Sequence, residues 1–242
     1  MRGHEILIAA LWAPAVLAFG AMAIVPLGPK GQPAEAFPKP DRPVADIVSP
    51  IWDNRTDRDA AREVSQIAER LELKPGMSVV DIGAGSGYDT IRLSKVVGAN
   101  GRVIGEDIMA SYLQSLQDSV REQHLTNVSV DLGEAHDPRL EPHSVDAAIM
   151  VHMYHEISQP YALLYNLAPA FKPGGRLGIE ELDRPTPSHG TPPALLVCEL
   201  KAVGYRELSM APLAGGIGYF AVFTPPAPDA RPAPSAIRPC HA

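Results

Sequence analysis

The residues best suited to chemistry begin with Asp81-Ile82-Gly83-Ala84-Gly85-Ser86-Gly87, a carboxylate followed by glycine at every second position. Glycine permits positive φ and leaves bare backbone for a ligand to lie against. The helix start that follows offers free N–H groups and a positive dipole end. A dinucleotide fingerprint spaces its glycines as G-x-G-x-x-G to seat a pyrophosphate. Here the spacing differs, and Asp81 would repel a pyrophosphate but suit a cationic head. Next come Glu106-Asp107, where an acid can accept both hydroxyls of a ribose. In His152-Met153-Tyr154-His155-Glu156, histidine can move protons near neutral pH, and Tyr154 or Glu156 can orient a nucleophile. Glu180, Glu181, Asp183 and His189 form a later polar cluster. His152, His155, Glu156, Asp183 and His189 include suitable metal-ligand types. They lack compact ligand spacing, so no metal is expected.

These groups need a frame, and the hydrophobic pattern supplies one. Val79, Val80 and Ile82 read as a buried strand entering the glycine turn. From Tyr88 the spacing of Ile91, Leu93 and Val96-Val97 is helical. Strands follow at 102–107, 128–132, 145–151, 176–180, 205–210 and 217–223. Leu113, Leu116 and Val120 mark one intervening helix; Ser158 and Pro160 open another; Thr191-Pro192 starts a third, running to about Val203. Thr56 to Asp59 reads as a variant capping box before a helix through Leu71. Each chemical group therefore falls near a strand's carboxyl end, the binding edge of an open α/β sheet.

Composition narrows the function classes. The formal net charge of −7 disfavours a general nucleic-acid binder, which would carry a basic patch. Cys198 and Cys240 are too few for a disulfide scaffold, a zinc cluster or chemistry needing several thiols. The 25 prolines concentrate at the ends of the folded part. Residues 1–28 carry an apolar run from Ile6 to Leu27, read as a signal peptide with a cleavage site at Ala21-Met22-Ala23 or as an uncleaved membrane anchor. Residues 29–56 read as a Pro-rich linker, 57–224 as one domain, and 225–242 as a disordered Pro-rich tail. The sequence leaves the oligomeric state unspecified.

The segments Asp81–Tyr88, Val103–Ile108, Ser144–Glu156 and Phe171–Leu177 resemble, in order, the motifs of class I S-adenosylmethionine (SAM)-dependent methyltransferases. The nearest flavour is the small-molecule type, such as quinone C-methyltransferases. The resemblance implies a Rossmann-like three-layer α/β sandwich: a seven-stranded, mostly parallel sheet with an antiparallel last strand. It implies SAM as cofactor, bound by Asp81, Gly83, Ala84, Gly85, Gly87, Asp107, Ile108, Glu134 and Ala135. Asp81 would hold the methionine amino group directly or through water, Asp107 the ribose, and Glu134-Ala135 the adenine edge. Glu106 is the fallback for the ribose. His152, Tyr154 and His155 are the catalytic candidates, for substrate orientation or proton removal. The Lys172-Pro173-Gly174-Gly175 turn matches the family without contributing chemistry.

The expected activity is methyl transfer to a small, lipid-soluble acceptor. The sulfonium is already activated, so the protein mainly aligns the acceptor and excludes water. The alternatives are a SAM- or nucleoside-binding module without turnover and, less favoured by the glycine spacing, a nicotinamide dehydrogenase. Because SAM is made in the cytosol, the preferred topology is an anchor at residues 6–27 with a cytoplasmic catalytic domain. Export after signal cleavage is the alternative.

Overall fold

In the computed structural model, residues 24–47 and 55–241 are described. Most of the expected apolar anchor and its proposed cleavage site lie outside them. Among the described residues, no helix is long and apolar enough to cross a membrane.

Helices separate the first five strands, except between the third and fourth, because buried β-branched runs alternate with amphipathic stretches. These strands are β1 (Ser78–Ile82), β2 (Arg102–Asp107), β3 (Val128–Leu132), β4 (Val145–Val151) and β5 (Phe171–Glu181). Their neighbouring pairs are parallel. The chain then forms β6 (Arg206–Pro212) and β7 (Tyr219–Thr224), with β7 antiparallel to both β5 and β6. The sheet order is β3-β2-β1-β4-β5-β7-β6. This is the expected mixed sheet with an antiparallel last strand. The order reverses beside β1, placing the carboxyl ends of β1, β2 and β4 around a topological switch point.

The helices are α1 (Arg55–Ala60), α2 (Glu63–Arg70), α3 (Tyr88–Val97), α4 (Ala110–Glu122), α5 (Pro160–Leu167) and α6 (Pro193–Val203). The single helix expected through Leu71 is broken at Arg62, whose φ of 55° is left-handed. The expected Lys172–Gly175 turn is an excursion within β5: the β4 register passes from Phe171 to Arg176. Val80, Ala148, Leu177 and Ile179 belong to one apolar cluster, Val79, Val103, Ala147 and Ile149 to another, so alternate strand residues serve opposite sheet faces.

The terminal segments differ from expectation. Rather than being disordered, residues 225–241 pack on the domain, with Ile237 buried and Cys240 bonded to Cys198 of α6. The Cys240 N–H donates to the Tyr161 hydroxyl at 2.7 Å, and Arg231 lies over the Tyr165 ring at 4.7 Å. Proline favours extended chain but does not prevent it from docking. The supposed linker is similarly held: Phe37 and Ala45 are buried, and Arg42 donates to Glu199 Oε1 at 2.9 Å with both side chains shielded from solvent.

Candidate active site

The carboxyl ends of β1, β2 and β4 enclose a cavity of about 200 Å³. Gly83, Ala84 and Gly85 line it from the turn after β1, Asp107 and Ile108 from the end of β2, Glu134-Ala135 from the loop after β3, and His152 from the end of β4. These expected cofactor residues and the expected catalytic His152, far apart in sequence, meet in one place. Gly83 has φ of 71°, and a Cβ there would stand 3.0 Å from Met153, which also lines the cavity. A bare backbone therefore lets the turn pack against the loop after β4.

Asp107 organises the site. Its Oδ2 accepts from Gly85 N–H at 2.9 Å and its Oδ1 from Met109 N–H at 2.8 Å. Burial raises its pKa, while the backbone donors oppose the rise. Glu106 lies deeper. Burial, reinforced by the charges of Asp107 and Asp131, pushes its pKa well above the carboxylate range. A Cβ on Gly133 would stand 1.7 Å from Glu106 Oε1, so this carboxyl is pressed against the backbone after β3. Both residues line the cavity, Glu106 being the more deeply buried of the two. Glu134 is paired with Arg139 at 2.9 Å while still lining the cavity.

Several expected residues are not among the cavity's lining groups. Asp81 is buried beneath the turn and accepts from Thr90 Oγ1 at 2.6 Å; burial raises its pKa. It therefore has no direct access to the cavity, and its expected contact could be made only through water. Gly87 ends the turn in the left-handed region at the start of α3. A Cβ there would meet Leu116 Cδ1 at 2.2 Å, so its missing side chain permits helix packing. Tyr154 is fully buried, and its hydroxyl donates to Glu199 Oε2 at 2.9 Å. His155 is also fully buried, its Nδ1 lying 2.9 Å from each Glu181 carboxylate oxygen. Both side chains turn from the cavity into the core because the chain enters a 3-10 turn at Tyr154–Glu156.

His152 remains at the cavity wall. Burial pushes its pKa down to about 4, leaving the ring neutral at physiological pH. Its Nε2 lies 3.3 Å from Glu180 Oε1, and Glu180 is driven well above the usual carboxylate range by burial and by Asp89. Sequence reasoning missed Arg58 and Asp89, which also line the cavity. Arg58 bridges Glu63 and Asp89, with a 2.7 Å bond to the latter, and its guanidinium lies 3.8 Å from the Tyr88 ring centre. Asp89 directly follows the first residue of α3, a placement legible in the sequence. The bend at Arg62 that brings Arg58 to it was not.

Comparison with known proteins gives this geometry a family. Residues 73–202 match the methyltransferase domain family, so the chain belongs to that family. It is 35% identical over 141 residues to a protein named "Uncharacterized 37.1 kDa protein in transposon TN4556" from Streptomyces fradiae, covering 58% of this chain and 40% of that one. It is 31% identical over 147 residues to 2-phytyl-1,4-naphtoquinone methyltransferase from Synechococcus elongatus, covering 58% of this chain and 62% of the relative. Thus the matches span less than two thirds of either relative. A SAM-dependent methyltransferase structure from Aquifex aeolicus aligns with TM-score 0.63 and 28% identity, covering 72% of this chain and 94% of that structure.

Proposed function

We propose that this protein binds SAM in the cavity and transfers its methyl group to a small acceptor by in-line displacement. The supporting observation is Asp107, with one carboxylate oxygen holding Gly85 and the other Met109 beside the glycine turn. Such a carboxylate can bind the ribose while the turn lies along the donor, and Glu134-Ala135 flank the adenine side. Asp81 supports the turn from below and would reach the methionine head only through water. His152 is the proposed acceptor-orienting group; its low basicity makes it a poor proton acceptor.

Ile47, Ile108, Met153, Ile157 and Leu163 give the cavity an apolar wall, which suits a lipid-soluble acceptor. The naphthoquinone methyltransferase among the relatives supports that choice. The acidic balance speaks against nucleic acid as the acceptor.

The Cys198–Cys240 disulfide supports export of the domain, because such bonds persist in oxidising compartments and are rare in the cytosol. This shifts the preferred location from a cytosol-facing anchor to export through residues 1–28. It also favours, as a second reading, SAM or nucleoside binding without turnover, since the donor is made in the cytosol.

Calorimetry with SAM, S-adenosylhomocysteine and NAD tests the binding assignment. Binding of the first two without NAD is expected, and Asp107→Ala should weaken S-adenosylhomocysteine binding at least 100-fold. Tight NAD binding without SAM binding would defeat the proposal. A turnover assay with quinone and phenol acceptors separates catalysis from binding alone.

A further inference from the structure

We infer that His155, Glu156 and His189 form a binding site for a divalent cation of the zinc class. Their candidate ligand atoms all lie within 4.8 Å of one another, although His189 is more than thirty residues from the other two. His155 Nε2 lies 3.9 Å from Glu156 Oε1, and the two imidazoles meet edge to face with centres 5.4 Å apart.

The hydrogen bonding points to a ligand. Both Glu181 oxygens lie 2.9 Å from His155 Nδ1, so the carboxylate takes that nitrogen's proton bond and leaves Nε2 with its lone pair. This is how an outer carboxylate fixes a histidine for metal binding. His155 is fully buried, yet among the described residues Nε2 has no hydrogen-bond partner. His189 Nδ1 is also buried without one. A buried polar atom left without a partner is costly, and a cation held by this cluster would give His155 Nε2 one. Tetrahedral zinc places its ligand atoms about 3.3 Å apart, so metal binding would draw the His155–Glu156 pair in from 3.9 Å and the widest pair by up to about 1.5 Å.

The backbone holds the cluster in place. His189 adopts φ of 56° at the end of a 3-10 turn, and Thr186 in that turn donates to the Pro43 carbonyl at 2.7 Å. Arg42 of the same N-terminal segment donates to the Tyr154, His155 and Ile157 carbonyls, each at 3.4 Å. A second cluster, Glu63, His152 and Glu180, is less suitable because Arg58 already holds both Glu63 oxygens and would repel a cation.

Two histidines and a carboxylate are borderline ligands suited to zinc and leave a coordination position open. Glu156 also lines the cavity whereas His155 is turned into the core, so the ion would sit behind the cavity wall rather than in the cavity. The site does not depend on the identity of the methyl donor.

The test uses the full chain without a polyhistidine tag, stripped by a chelator and titrated with Zn²⁺ against a chromophoric competitor. Uptake of one ion per chain is expected. Parallel Co²⁺ loading should give the visible absorption of a low-coordinate nitrogen–oxygen site. His189→Ala should reduce Zn²⁺ affinity at least 100-fold, and Glu181→Gln about 10–100-fold. Circular dichroism and thermal unfolding establish that His189→Ala is folded; if it is not, Glu156→Gln provides the ligand test. Failure of the native chain to retain zinc, or unchanged affinity in a folded ligand variant, would overturn the inference.

Discussion

Replacing both Cys198 and Cys240 with serine should lower the unfolding free energy by about 4 kcal/mol. The bridge joins residues separated by 42 positions. The chain-entropy relation for a closed loop of that length gives about 4 kcal/mol at room temperature. A typical domain has only about 5–15 kcal/mol of stability, so the loss would be large. The tail's other contacts are buried Ile237, the Cys240 N–H bond to Tyr161 and Arg231 over Tyr165. Urea unfolding followed by far-UV dichroism, with and without reductant, measures the change. The native protein should become less stable on reduction, whereas the double-serine variant should be insensitive to reductant. A thiol titration in denaturant should find no free thiol in protein made under oxidising conditions. Two free thiols, or a reductant effect below about 1 kcal/mol, would refute both the stabilising role and the compartment argument built on it.

Arg42→Ala should destabilise the fold by about 3–5 kcal/mol, because it leaves Glu199 buried without its cation; urea unfolding checks this. Tyr154→Phe should cost about 1–3 kcal/mol through the lost Glu199 bond while leaving S-adenosylhomocysteine affinity within threefold, and a larger binding loss would return Tyr154 to the binding site. Stability should fall as pH rises from about 4 to 8. Asp131, raised to about 7 by burial, keeps in the folded state a proton that the unfolded chain has released, so its contribution to stability is lost as pH rises from about 4 to about 7. The raised pKa values of Glu106 and Glu180 act in the same direction. His152, lowered to about 4, opposes the trend only up to its unfolded value near 6.5. Urea midpoints at pH 5 and pH 8 decide the matter: greater stability at pH 8 would count against the buried-acid assignments.

Much of the sheet was legible because each strand's apolar run had a clear boundary. The expected bounds of the strands at 102–107, 128–132 and 145–151 match those in the structure. Asp107 could be favoured over Glu106 only from a local motif; in the structure both residues line the cavity and both carboxylates accept backbone N–H bonds, so the geometry does not by itself separate them. The sequence was less informative about Tyr154 and His155. Their proximity to a strand end marked them as reactive, but a short 3-10 turn directs both side chains into the core.

By itself, the sequence determined the order of strands and helices, the glycine turn and the acids at the strand ends. Those features depend on local spacing, backbone permissiveness and hydrophobic period. Tertiary structure decided which polar groups meet. The bend at Arg62 brings Arg58 to Asp89, the tail returns to join Cys240 with Cys198, and the loop after β5 brings His189 to His155. Such pairings bridge long stretches of chain, so their geometry depends on how whole elements pack rather than on the residues immediately beside them.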